Sequence, residues 1–181
     1  MSGSDRRDSG PGVTSGAVRV GQGFDAHRFA SPGSGRPLWL AGIRWTDDEA
    51  CGVEGLDGDS DGDVAAHALI DALLLASGLG DIGSMFGVGS DSAGAGRHGA
   101  AMLGEVRDRL TGQGWRIVNA TVTVIGNAPR VSVHRDEAES ALSAAVGAPV
   151  SLGATTTDHM GFTGRGEGIA AIATALVERI D

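Results

Sequence analysis

The stretch Val64 to Leu79, VAAHALIDALLLASGL, restricts the fold more than any other part of the chain. Val64, Ala68, Leu69, Ala72, Leu73 and Ala76 recur at three- and four-residue intervals, which predicts a helix with one apolar stripe that another layer must cover. Composition limits what can cover it. Aromatic residues make up 4% of the 181, Tyr is absent and Gly numbers 31, so the core is assembled from Ala, Val, Leu and Ile. Small core residues imply closely packed helices.

Other periodicities supply the second layer. Residues 17–23 (AVRVGQG) alternate as a strand, and 37–43 (PLWLAGI) form a second short apolar run. Residues 116–125 (RIVNATVTVI) are β-branched and alternating, and 150–154 form a further short strand. Helices are predicted from about 100 to 111, with Met102, Val106 and Leu110 inward, over 132–146, and over 168–180 to close the chain. Residues 87–99 (GVGSDSAGAGRHG) are too glycine-rich for regular structure and read as a mobile loop. The order β, β, α, α, β, α, β, α predicts an α+β two-layer sandwich, with helices on one face of a mixed four-stranded sheet. The other face is left bare and requires a partner. Residues 1–16 bury almost nothing and read as a disordered tail, which leaves 17–181 as one domain.

Fourteen basic residues, all Arg, against 23 acidic ones give a net charge of −9, which excludes a nucleic-acid surface. A phosphate ligand would then need a metal ion, backbone N–H groups or one or two local Arg. Cys51 is the single cysteine and cannot form an intrachain disulfide. No apolar run approaches the roughly 20 residues of a membrane span, and no secretory pattern opens the chain, so a cytoplasmic protein is expected.

Within GQGFDAHRF (residues 21–29), Asp25 and His27 are two apart; on an extended segment they present an oxygen and a nitrogen to one point. An open zinc site needs a third ligand, and His67 is the candidate. Asp63 and Asp71 each lie four residues from it, placed to accept its second ring N–H. The competing reading makes Asp25 and His27 a surface pair and His67 a helix-boundary residue. His98, His134 and His159 lie in no such pattern.

Asp57-Gly58-Asp59-Ser60-Asp61-Gly62 matches the opening of a calcium loop, but the twelfth position, normally a bidentate Glu, is Ala68, inside the predicted helix. A solvated acidic loop is the simpler reading. In GATTTDHMGFTGRGEGIAA (residues 153–171), Thr155, Thr156 and Thr157 offer hydroxyls and N–H groups at a strand end. Asp158 offers an oxygen to a hard cation, and Arg165 adds a positive charge. The set suits a phosphate, although a threonine run is as readily a plain strand end.

Taken together, GxGxDxHxF, SDGDVxxHALxDALLxAxGLGDIGxxF, NAPR and ATTTxxxGFTGRGEGIA resemble the 2-C-methyl-D-erythritol 2,4-cyclodiphosphate synthase family over residues 18–180. The resemblance implies a homotrimer packed through its sheets, with active sites between subunits. It implies a zinc ion on Asp25, His27 and His67, and a second divalent cation, Mg²⁺ or Mn²⁺, on Asp158. The implied reaction is attack of the 2-phosphate of 4-diphosphocytidyl-2-C-methyl-D-erythritol 2-phosphate on its own β-phosphorus, with release of CMP. Thr156 matches a residue that stabilises the transition state, and Asp59 stands where the family usually has a His with a similar role. Asp25, Ala26, His27, Asp59 and Ser60 fall in substrate-facing positions. Asp81, Ile82 and Gly83 match the contact to the erythritol hydroxyls. Gly126, Asn127, Ala128, Pro129, Arg130, Val131 and Ser132, with Thr155 and Thr156, match the cytidine pocket. Thr157, Asp158, Phe162 and Arg165 match further substrate-side positions, and Phe24, Arg165 and Glu167 surround the implied trimer axis, where some members hold an isoprenoid diphosphate. The departures are Asp59, the 87–98 loop, Asp158 in place of a Glu and Gly153 in place of a Lys. They leave open a family-like paralogue that keeps zinc and trimer but has lost or altered the cyclisation, in a binding or regulatory role.

Overall fold

In the computed structural model, which describes residues 14–180, the first strand does not stop at Gly23 but continues as β1 from Val18 to Arg28 and carries Asp25 and His27 with it. A two-residue hairpin follows, β2 (Trp39–Leu40) and β3 (Ile43–Arg44), then α1 (Thr46–Ala50) and α2 (Val64–Ser77). The 37–43 run thus forms a separate small sheet and does not join the main one. After α2 come α3 (Ile82–Phe86), α4 (Gly99–Gly112), β4 (Trp115–Ile125), α5 (Arg135–Val146), β5 (Val150–Thr155), α6 (Gly161–Gly164) and β6 (Gly168–Arg179).

Residues 168–179 are therefore a strand and not the expected closing helix. Their alanines favour a helix by no more than about 1 kcal/mol each. As β6 they occupy a central position in the sheet, in the order β1-β6-β4-β5, hydrogen-bonded antiparallel to β1 on one side and β4 on the other. Two ladders and the packing of one face against α2 outweigh that propensity, and an apolar run suits a strand flanked on both edges. With β5 parallel to β4 the sheet is four-stranded and mixed, as expected, although one of the strands counted from the sequence is replaced by another.

Helix α2 lies across β1 and β6. Gly21 and Gly23 make this approach possible: a Cβ on Gly21 would stand 2.1 Å from the Ala72 carbonyl oxygen, and one on Gly23 2.0 Å from that of Ala68. Ala171, Ala173 and Ala175 complete the floor, all fully buried. Small residues thus serve helix-on-strand contact. Helix α2 is buried nearly all round, apart from half-buried Asp71 and exposed Leu75, which is a broader burial than one stripe. Asp63 caps its start by accepting the N–H groups of Ala65 and Ala66, and Gly78, at φ 75°, ends it in the left-handed conformation that a Cβ disfavours.

The opposite sheet face exposes Val18, Val20, Phe24 and Ile172. Residues 1–13 of the expected tail lie outside the described residues; the Gly16 N–H donates to the Arg179 carbonyl oxygen at 2.7 Å. No helix among the described residues is long and apolar enough to cross a membrane.

Candidate functional site

Alternation along β1 turns Asp25 and His27 to the helix side, and the first turn of α2 places His67 against them. His27 Nε2 and His67 Nδ1 lie 3.1 and 3.0 Å from the same oxygen, Asp25 Oδ2. The remaining ring nitrogens are both occupied. His27 Nδ1 donates to the Asp57 carbonyl oxygen at 2.5 Å, and His67 Nε2 meets Ser60 Oγ at 3.0 Å. A carbonyl can only accept, so a proton is held on His27 Nδ1, and Nε2 is the nitrogen that faces Asp25 and would present its lone pair to a metal ion. One ligand atom from each of the three residues lies within 4.8 Å of the others. Tetrahedral zinc ligands at about 2.0–2.2 Å from a common centre stand about 3.3 Å apart, so this O, N, N set fits a zinc ion with a fourth position open.

Burial acts to raise the Asp25 carboxyl, but hydrogen bonds from His27 and His67 outweigh it and hold the group well below the usual carboxylate range. The hydrogen bond to Asp25 in turn raises the His27 pKa, against burial, which lowers it.

Neither helix neighbour of His67 supports it as the spacing suggested. Asp63 Oδ1 and Oδ2 accept from the N–H groups of Ala41 and Gly42 at 2.8 and 2.7 Å in addition to capping α2, and Asp71 accepts from the Ile82 N–H at 2.7 Å. Residues four apart on a helix share a face, but nearby backbone donors claim these carboxylates. The supporting contacts come instead from the 57–61 loop. Its three carboxylates, Asp57, Asp59 and Asp61, do not gather on one point. Asp59 Oδ2 accepts from the Gly89 N–H at 2.9 Å, and Asp61 Oδ2 accepts from the Gly99 N–H at 2.8 Å and lies 3.3 Å from His98 Nδ1. A calcium loop would need them to converge, and the only cluster of metal-ligating side chains among the described residues is Asp25, His27 and His67.

The triad opens into a cavity of about 180 Å³ whose walls include Asp59, Ser60, Ile82, Gly83, Phe86 and Val88. Ile82 and Gly83 are there as expected. Asp81 is not in this wall; its carboxylate caps α3 by accepting from the Ser84 N–H at 2.7 Å. A second hollow of about 490 Å³ on the other side of His27 brings Ala26 and Phe162 together with Arg28, Phe29 and Glu167.

A third cavity, about 360 Å³, joins two segments far apart in sequence: Gly126, Asn127, Pro129, Arg130, Val131 and Ser132 from the loop after β4, and Thr155 and Thr156 from the end of β5. Ala128 is not in this wall, and Arg135, which carried no sequence signal, is. The parallel β4/β5 pairing, with Ile125 opposite Thr155, places the two loops side by side. Asn127 Nδ2 donates to the Gly164 carbonyl oxygen at 2.9 Å and ties the loop to α6.

Beyond β5, Asp158 has φ 49°, and Thr156 Oγ1 donates to its carboxylate at 3.2 Å. Thr157 Oγ1 is engaged within the turn, donating to the Met160 carbonyl oxygen at 2.6 Å, and Arg165 pairs with Glu167 at 2.6 Å on the surface. The triad and the 155–158 segment line different cavities. Across the sheet Asp25 pairs with Ala171, Ala171 with Val124 and Val124 with Ala154, three strand spacings or about 14 Å.

Comparison with known proteins identifies the family of the chain and its fold. The YgbB family model matches residues 18–178. A 2-C-methyl-D-erythritol 2,4-cyclodiphosphate synthase of Bifidobacterium longum subsp. infantis is 64% identical over 169 residues, covering 90% of this chain and 97% of that protein. The solved bifunctional IspDF of Campylobacter jejuni superposes with a TM-score of 0.81 at 31% identity, over 92% of this chain and 44% of that one. A solved 2C-methyl-D-erythritol-2,4-cyclodiphosphate synthase in a CDP-bound form superposes with a TM-score of 0.75 at 31% identity, over 88% of this chain and all of that one.

Proposed function

Because the chain belongs to the YgbB family, we propose that it is a 2-C-methyl-D-erythritol 2,4-cyclodiphosphate synthase of isoprenoid precursor biosynthesis. The reaction converts 4-diphosphocytidyl-2-C-methyl-D-erythritol 2-phosphate to the cyclic diphosphate: an oxygen of the 2-phosphate bonds to the β-phosphorus, the bond from that phosphorus to the bridging oxygen breaks, and CMP departs. The observation that carries this reading is the convergence of Asp25 Oδ2, His27 Nε2 and His67 Nδ1, each imidazole oriented through its other nitrogen.

In an intramolecular phosphoryl transfer, catalysis consists of positioning and neutralising charge. A zinc ion held by the triad would supply Lewis-acid polarisation of a phosphate oxygen and a fixed template. Ile82 and Gly83 form the wall for the erythritol end, and the cavity formed by the 126–132 loop with Thr155 and Thr156 takes the cytidine. Thr156 faces the developing charge. Asp158, already within reach of the Thr156 hydroxyl, would hold a second divalent cation, Mg²⁺ or Mn²⁺, which would supply positive charge beside a diphosphate in this strongly acidic chain.

The working unit is a cytoplasmic homotrimer packed through the sheets. The exposed Val18, Val20, Phe24 and Ile172 on the bare face support this, as does the separation of triad and nucleoside cavity within one chain, which a neighbouring subunit would bridge. High identity to a synthase favours this reading over a paralogue with altered cyclisation. Incubation of the purified protein with the cytidyl substrate, Zn²⁺ and Mg²⁺ tests it: CMP and the cyclic diphosphate appear together by phosphorus NMR, and absence of CMP release overturns it.

A further inference from the structure

Arg36 lies between β1 and β2, outside every motif considered above. Its Nη2 donates to two carbonyl oxygens, Gly58 at 2.8 Å and Ser60 at 2.5 Å, and so brackets Asp59 with a single guanidinium nitrogen. Its Nε is buried without a hydrogen-bond partner among the described residues, so these carbonyls are what hold the half-buried charge in place. Arg36 itself lines a separate hollow with Glu49 and Val53 and takes no part in the wall of the metal cavity.

The segment it grips carries the outer partner of both histidines. Asp57 supplies the carbonyl for His27 Nδ1, and Ser60 supplies the hydroxyl for His67 Nε2. Gly58 lies against the His27 ring so closely that a Cβ would stand 2.8 Å from Cε1, so the loop packs directly on the ligand ring there. A shift of about 1 Å in the 57–60 backbone would break both contacts, since hydrogen bonds weaken steeply with distance and angle.

We propose that Arg36 is a positioning residue for the metal centre: by holding the Gly58 and Ser60 carbonyls it fixes the tautomers of His27 and His67 that turn Nε2 and Nδ1 toward the ion. The inference rests on the metal-centre reading of the proposed function. Contacts that orient metal-ligating histidines are commonly worth 10–100-fold in metal affinity, and Arg36 acts on two of them through the loop that makes them. Lysine at this position keeps the charge but is one bond shorter and lacks the rigid, planar guanidinium.

The test is zinc competition against a chelating dye with the wild-type protein, Arg36→Ala, Arg36→Lys and Ile70→Val, the last as a mild core control. Arg36→Ala is expected to weaken zinc binding 10–100-fold, with Arg36→Lys intermediate and Ile70→Val unchanged. Nitrogen NMR of the imidazoles should show His27 losing its single tautomer in Arg36→Ala, and excess zinc should restore turnover toward the wild-type value. Zinc binding and tautomers like those of the wild type in Arg36→Ala, or equal losses in Ile70→Val, overturn the proposal. If Arg36→Ala does not fold, Arg36→Lys decides by the same criteria. A wild-type protein that binds no zinc overturns the proposed function instead.

Discussion

The Gly89 N–H donates to Asp59 Oδ2 at 2.9 Å, so this carboxylate is tied to the glycine-rich loop that walls the cavity of the triad. The Asp59 carbonyl oxygen also accepts from the Gly96 N–H at 2.8 Å, and the Asp61 N–H donates to the Arg97 carbonyl oxygen at 3.0 Å. The acidic loop and the 87–98 loop are thus stitched together. Loss of the side-chain bond in Asp59→Ala is expected to raise KM about fivefold, the equivalent of about 1 kcal/mol, with a smaller change in kcat. Asp59→Asn keeps an acceptor oxygen and should stay within about twofold of wild type. Asp59→His replaces the carboxylate acceptor with a bulkier imidazole of different reach, and kcat/KM should fall. Steady-state kinetics on the three variants checks this, and a rise in Asp59→His would show that the tie is a handicap.

His67→Ala removes one of three metal ligands and should abolish zinc binding and turnover. His134 is the contrasting case. Its ring stands edge-on to Trp45 at 5.1 Å, away from the triad. His134→Ala should leave zinc stoichiometry and turnover near wild type and lower stability by about 1 kcal/mol. Metal analysis and denaturant unfolding separate the two effects.

The depressed Asp25 and raised His27 pKa values define a pH window for the metal-free protein. Asp25 contributes stability that is present above its unfolded pKa of about 3.9 and is lost as pH falls toward its lower folded value. His27 contributes stability that is fully present below its unfolded pKa of about 6.5 and is lost as pH rises through its higher folded value. The pair therefore adds most between about pH 4 and 6.5. Zinc displaces the proton from His27 Nε2, so zinc affinity should rise with pH up to and through the folded His27 pKa. Urea unfolding of metal-free protein and zinc competition, each across pH, should show these opposite trends.

Gly23→Ala forces a Cβ to within 2.0 Å of the Ala68 carbonyl oxygen, between two elements that cannot part without opening the core. A loss of about 3 kcal/mol is expected. Gly104→Ala meets nothing within 4 Å inside α4 and should stabilise by about 0.5–1 kcal/mol. Melting temperatures of the two variants should move in opposite directions.

Local pattern was legible where a residue's neighbours in sequence decide its state. Helix α2, the alternating β4 and the same-side pair Asp25 and His27 follow from period and spacing alone. His67 is the candidate third ligand for its place on a helix between Asp63 and Asp71; the fold does bring it to Asp25 and His27, but those two carboxylates serve backbone N–H groups. The family could be named because its motifs occur in order along the chain.

What the sequence determined by itself was therefore the type of chemistry and most of the elements. The tertiary structure decided which residues support that chemistry. It made 168–179 a central strand, because hydrogen-bond ladders on both edges exceed the helical preference of a few alanines. It gave Asp63 and Asp71 to backbone N–H groups and left the histidines to Asp57 and Ser60. It brought Arg36 to a loop more than twenty residues away. Such pairings depend on distances between segments remote in sequence, and no periodicity encodes which of several equivalent donors will find a given acceptor.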